Sequence, residues 1–313
     1  WPSSAVSTWL NGGLFGGAGA SFGYFAGGTP GYMTTVDKYA LTDDSRTTLG
    51  TGLSTATYAN VGFANSGVAG YSAGGNTGSI VDTVDKFAFV DDSRSTLGTG
   101  LSAARRDAGG FANSGVAGYV GGGERPGPAY NTDAIDKFAF SDDSRTTLSA
   151  VLTDDKTYLA GMANSGTAGY FGGGSGSYYS TVDKIAFPGD TKSTLGTGLS
   201  VAQRAMAGMA NSGTAGYFAG GNVSGTVVDK FAFSDDSRTT LGTGLAEATY
   251  TPAGLANTGT AGYVGGGYGE GGTGYATYVI RFAFADDSRT TLGTGLSVAR
   301  SSLGGFANEA SLA

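Results

Sequence analysis

The side chains best suited to hold a ligand are tyrosines set among Gly, Ser and Asn: Tyr32, Tyr130, Tyr178, Tyr179, Tyr268, Tyr275 and Tyr278. A tyrosine ring stacks on the apolar face of a sugar, or anchors a protein contact, at small entropic cost. Cations that can complement them are Arg105, Arg106, Arg125, Lys156, Arg204 and Arg300. A second set is acidic. A recurring Asp-Asp-Ser-Arg stretch supplies carboxylates that include Asp43, Asp44, Asp142, Asp143, Asp235 and Asp236, each stretch ending in a cation such as Arg46, Arg145 or Arg238. Clustered carboxylate oxygens suit Ca²⁺, but an Asp at a turn also accepts the backbone N–H groups that follow it. The turn role is the expectation, with no metal and no other cofactor.

Other chemistry is excluded outright. The chain has no Cys and no His, which removes disulfides, thiolate nucleophiles, Cys or His zinc sites and Ser-His-Asp triads. A net charge of -7 argues against nucleic acid or an anionic membrane, since both need a basic stripe. No apolar run approaches the length of a membrane span.

The elements that position these residues follow from repetition. The stretch Gly208 to Leu245 recurs along the chain, and its last part begins at Asp43, Asp91, Asp142, Gly189, Asp235 and Asp286, at intervals of 48, 51, 47, 46 and 51 residues. A period of that size marks a solenoid, array or propeller. Each copy holds four short apolar runs separated by Gly, Asn, Ser and Asp, the pattern of antiparallel strands joined by turns, and four strands per repeat make one propeller blade. In the Gly208 copy, Gly208 to Ala210 opens the unit, Asn211-Ser212-Gly213 forms a hairpin, and Gly216-Tyr217-Phe218 returns. Val228 to Phe233 places Phe231 and Phe233 on one face, and the short polar run Arg238 to Leu241 reads as an outer edge. Within the repeated Asp-Lys pair (Asp37-Lys38, Asp85-Lys86, Asp136-Lys137, Asp183-Lys184, Asp229-Lys230) neighbours point to opposite faces. Each is therefore expected to meet a partner on the next blade or to snorkel.

An apolar strand ending in Gly-Gly, a variable loop, a V-D-K-F-A-F strand, a turn and a bulky apolar residue on the last strand together resemble the Kelch repeat over residues 22 to 308. The chain departs from the Kelch pattern on the outer strand, where Leu49, Leu97, Leu148, Leu195, Leu241 and Leu292 replace a large aromatic. The basic residue that Kelch units often carry after the fourth strand is matched at Arg105 and Arg300, with Lys156 close by. The resemblance implies an all-β fold, a six-bladed Kelch-like β-propeller with four antiparallel strands per blade. The propeller should span 22-313, preceded by a Gly/Ala-rich arm at 1-21 that is free for a homo-oligomeric contact. Gly304 to Asn308 copies Gly109 to Asn113, so the C-terminal strand is expected to close the ring beside Tyr24 and Phe25. Leu14 to Gly17 competes for the same slot.

Alternating strands sort the loops onto two faces. One face is nearly constant, with Asn-Ser-Gly hairpins and acidic turns. The other carries loops of varying length and the tyrosines and cations named above, the composition of adaptable binding loops. The low-diversity repeats are also similar in style to propellers of bacteriophage and viral virion proteins. This implies a non-catalytic binding or structural module on a virion or extracellular surface that contacts a surface glycan or a protein partner. A cell-surface lattice protein or adhesin is the near alternative, and a propeller enzyme acting on carbohydrate is a third.

Overall fold

The structure, a computed structural model, describes residues 21–127, 130–269 and 274–308. The expected arm at 1-21, apart from Ser21, and the competing Leu14 to Gly17 strand lie outside them. Among the described residues there are strands and turns and no helix. Six antiparallel sheets of four strands follow the sequence period. The first sheet orders Gly304–Asn308, Phe22–Ala26, Val36–Ala40 and Ser45–Thr48. The second to sixth sheets start at the strands Val61–Asn65, Gly109–Asn113, Ala160–Asn164, Ala207–Asn211 and Ala253–Asn257, and each runs outward in chain order. The first sheet alone joins the two ends of the chain, with Phe22 opposite Asn308 and Tyr24 opposite Phe306. A seventh sheet was not anticipated from the sequence. Its three short strands are Thr249–Tyr250, Tyr268–Gly269 and Gly274–Tyr275.

The core lies between sheets. Each of six apolar clusters takes residues from two sheets consecutive in the repeat, as where Tyr217 and Val228 of the fifth meet Val264 and Phe282 of the sixth. Phe25 and Tyr39 of the first sheet likewise meet Leu255 and Tyr263 of the sixth. Such packing requires the inner strands to approach closely. A Cβ at Gly62 would collide with the carbonyl of Gly305, and the same relation joins Gly110 to Gly62, Gly161 to Gly110, Gly208 to Gly161, Gly254 to Gly208 and Gly305 to Gly254. A second glycine admits a bulky side chain from the preceding sheet: Gly70 faces the ring of Phe306, Gly118 that of Phe63 and Gly169 that of Phe111.

The acidic turns fasten one sheet to the next. The first Asp of each turn accepts the N–H of the Ser two residues on, at 3.0 Å for Asp43, Asp91, Asp142, Asp235 and Asp286. The second Asp adopts positive φ, between 51° and 59° at Asp44, Asp92, Asp143, Asp190, Asp236 and Asp287, a conformation that Asp tolerates better than most residues. Its carboxylate accepts the hydroxyl of a tyrosine from the preceding sheet: Tyr24 to Asp92, Tyr71 to Asp143, Tyr119 to Asp190, Tyr170 to Asp236, Tyr217 to Asp287 and Tyr263 to Asp44, at 2.8–2.9 Å. The third-strand lysines bind the other oxygen, from Lys38 on Asp92 to Lys230 on Asp287, at 2.6–2.7 Å. The expected partner on the next sheet is therefore the turn carboxylate.

Asp44, Asp143 and Asp236 thus have protein partners, and no group of three or more potential metal-ligating carboxylates converges among the described residues. Removing one carboxylate strands a buried phenol and an ammonium together. Asp143→Ala should lower unfolding free energy by about 2 to 4 kcal/mol, and Asp143→Asn, which keeps an acceptor for Tyr71, by less. Denaturant unfolding checks both. Equal, negligible effects would contradict the clasp.

Candidate functional site

The segments leading from each outer strand to the next inner strand lie on the face with the variable loops. Their repeat-equivalent positions are Thr57, Arg105, Lys156, Gln203, Thr249 and Arg300. Arg105 and Arg300 were sequence candidates for ligand contact, and the structure corrects both. Arg105 is 1 % exposed and Arg300 0 %, and their Nη2 atoms bind Asp136 at 2.8 Å and Asp37 at 3.0 Å. Each also donates to a backbone carbonyl, of Val120 and Phe25 respectively. Lys156 pairs in the same way with Asp183 at 3.2 Å. Burial works to raise the Asp37 pKa, but bonds from Thr48 and Ser297 and the charge of Arg300 together hold it below the usual carboxylate range. In the sixth repeat both halves of the device are missing, with Thr249 at the cation position and Ile280 at the carboxylate position.

Two residues after each of these equivalent positions, the backbone turns through positive φ at Ala59, Asp107, Tyr158, Ala205, Thr251 and Ser302. The N–H of each donates to the carbonyl of its predecessor around the series, from Asp107 to Ala59 through Ser302 to Thr251, and Ala59 donates to Ser302, at 2.7–2.9 Å. This backbone series rims the floor on which the variable loops stand. On the opposite face Asn65, Asn113, Asn164, Asn211 and Asn308 do the corresponding work, each side-chain oxygen accepting a hairpin glycine N–H of the next sheet at 2.8–2.9 Å.

Above part of the rim lies a cavity of about 680 Å³, walled by Tyr158, Arg204, Asn222, Tyr250, Tyr268 and Tyr275 and floored by Ala205, Thr251, Ser301 and Ser302. The size falls within the roughly 300 to 1,000 Å³ of small-molecule sites. The seventh sheet builds one wall: Tyr268 pairs with both Tyr250 and Tyr275, with ring centroids 5.2 and 5.1 Å apart, the second pair edge-on. Burial, then the neighbouring phenols Tyr268 and Tyr275, raise the Tyr250 pKa, so the Tyr250 hydroxyl stays protonated and able to donate at neutral pH. The other wall is Arg204, whose guanidinium lies 5.2 Å from the ring centres of both Tyr158 and Tyr178 and donates to Ser175 Oγ at 2.9 Å. Tyr178 in turn accepts from Asn222 Nδ2 at 3.2 Å.

Of the sequence candidates, Arg204, Tyr268 and Tyr275 line this cavity and Tyr178 adjoins it. Tyr179 packs its ring 5.2 Å from the Lys156 ammonium, and Tyr278 packs on the apolar cluster between the fifth and sixth sheets, which corrects its placement as an exposed loop residue. Tyr32 and Tyr130, 48 % and 62 % exposed, lie outside the lining, and Arg125 donates to the carbonyl of Asn131. Sequence reasoning missed Tyr158, Tyr250 and Asn222. The first two follow the fourth strand, whereas tyrosines were sought in the loop between the second and third.

Asp107, on the rim beside Tyr158, was also missed. Its side chain is 6 % exposed with Oδ2 3.6 Å from Arg106 Nε. Burial pushes its pKa up to about 7, with Arg106 acting against the rise and Glu124 adding to it. Comparison with protein-family models and with curated proteins finds no match to this chain.

Because the folded-state pKa of Asp107 lies above the ordinary 3.8, the native state holds the proton more tightly than the unfolded state between these values. Its contribution to stability is therefore complete at acid pH, falls as pH rises from about 4 to about 7, and is level above that. Asp107→Asn, which tolerates positive φ, should stabilise the protein by roughly 1 to 3 kcal/mol at pH 8 and much less near pH 4. Urea unfolding of parent and variant at the two pH values measures the difference. A gain that does not depend on pH would contradict the assignment.

Proposed function

We propose that the protein is a six-bladed Kelch-like β-propeller, closed by its C-terminal strand, that acts as a non-catalytic glycan-binding module on a virion or extracellular surface. The observation that carries the functional part is the tyrosine-walled cavity on the variable face. A sugar offers an apolar face for rings and hydroxyls for hydrogen bonds. The cavity supplies four tyrosines, whose phenols both donate and accept, together with the Asn222 amide and the hydroxyls of Thr251, Ser301 and Ser302. The described lining holds no carboxylate and the chain no His or Cys, which favours binding over general acid–base work. The six interlocked sheets and the pairing of Gly304–Asn308 with Phe22–Ala26 support the propeller reading. The placement on a virion rests on the style of the repeats.

The test is a glycan array probed with the parent, with Tyr250→Ala/Tyr268→Ala/Tyr275→Ala, and with Tyr32→Ala/Tyr130→Ala. The parent should bind a defined set of glycans, the triple variant should lose about tenfold or more in affinity while melting near the parent, and the double variant should bind as the parent does. Array silence, or retention by the triple variant, sinks the reading.

A further inference from the structure

Most cations among the described residues hold carboxylates; Arg125 and Arg289 bind backbone carbonyls instead, and Arg204, at the cavity, binds a hydroxyl. The third-strand lysines hold turn carboxylates, and Arg105, Lys156 and Arg300 hold buried ones. Arg106 and Arg204 occupy equivalent positions in two repeats, each following the residue that supplies or replaces the buried cation. Across from Arg106 stands Glu124, joined to it by an isolated antiparallel bridge and by hydrogen bonds from Nη2 to both carboxylate oxygens at 2.9 and 3.1 Å. Across from Arg204 stands Asn222, whose N–H donates to the Arg204 carbonyl. A neutral amide has replaced the counter-ion. Arg204 has no carboxylate within 4.0 Å among the described residues, and its only side-chain hydrogen bond there is to the Ser175 hydroxyl.

The guanidinium is nonetheless held in place. Tyr158 and Tyr178 flank it at equal distance, an arrangement that fixes orientation while bringing no carboxylate into contact, the Arg204 charge acting on Asp107 only from beyond contact distance. Asn222 Oδ1 has no donor among the described residues, and both side chains line the cavity. A fixed, partly buried arginine whose fork meets a neutral hydroxyl and no carboxylate is complementary to a planar or tetrahedral anion, because charge-assisted bonds to such groups are stronger than neutral ones.

We infer that the saccharide taken by this cavity is acidic, bearing a carboxylate or sulfate that occupies beside Arg204 the place Glu124 occupies beside Arg106. The inference rests on the glycan-binding reading and narrows it. Uronate and sulfate sources share the anionic chemistry, and the probes separate them.

The test is isothermal titration calorimetry with trigalacturonic acid, its methyl-esterified form, and sulfated and unsulfated galactotriose, against the parent, Arg204→Gln and Asn222→Glu. An anionic probe should bind the parent about tenfold or more tightly than its neutral counterpart. Arg204→Gln should erase that preference. Asn222→Glu, which rebuilds the ion pair of the third repeat, should erase it too while the melting temperature stays near the parent value. A preference for the uronate or for the sulfate identifies the source. Equal binding of charged and neutral probes, or a preference that survives in Arg204→Gln, overturns the acidic class but leaves glycan binding intact, whereas no binding by any of the four overturns both.

Discussion

The constraint on which the structure depends is the close approach of neighbouring inner strands. A backbone carbonyl of one sheet occupies the space where the next sheet would carry a Cβ, at Gly62, Gly110, Gly161, Gly208, Gly254 and Gly305. Glycine there weakens each strand intrinsically, by roughly 0.5 to 1 kcal/mol relative to Ala. The cost is offset farther out, where aromatic rings interleave between sheets, as Phe63 stacks on Tyr71 and Phe138, and where each tyrosine hydroxyl ends on a turn carboxylate. A glycine-rich chain of this kind is ordered by contacts between repeats rather than by propensity within them.

That division explains what could be read from the sequence. The period, the hairpins, the alternating third strand and the match between Gly304 to Asn308 and Gly109 to Asn113 are local patterns, and the strands Val228–Ala232 and Arg238–Thr240 fall within a residue of the expected limits. Partnerships between repeats are not local. Asp143 meets Tyr71 from 72 residues away, so the turn looked like a solvated acidic face when half of it is an inter-sheet clasp. Arg105 and Arg300 looked like loop cations because their carboxylates sit on another sheet. No covariation exposed them, because Thr57 and Gln203 replace the cation in two repeats that keep the carboxylate, at Asp85 and Asp229, and only the repeat with Thr249 loses both.

The same logic separates the two faces. On the constant face, side-chain oxygens of Asn and Asp are spent on neighbouring backbone and tyrosines, leaving little uncommitted polarity. On the variable face the rim is fixed by backbone hydrogen bonds, which do not depend on side-chain identity, so residues above it are free to differ among repeats. Tyr158, Arg204, Tyr250 and Ser302 come from segments leading to four different sheets, and the cavity exists because the rim holds these segments at fixed spacing. Ser302 belongs to the segment that delivers Gly304–Asn308 to the first sheet. Pairing of the chain ends and construction of the cavity are therefore linked in the proposed ring.

Pairing of the ends is open to direct covalent measurement because the chain has no cysteine of its own. Phe22 and Asn308 are cross-strand partners, and facing residues of antiparallel strands, about 4.5 to 5.5 Å apart, are within disulfide reach. In Phe22→Cys/Asn308→Cys, mild oxidation should consume both thiols in a monomeric, intramolecularly bridged chain. The control Phe22→Cys/Asn164→Cys, with its second site on the fourth sheet, should stay reduced. Free thiols in the first pair, cross-linking only between chains, or equal bridging in the control would contradict the closed ring.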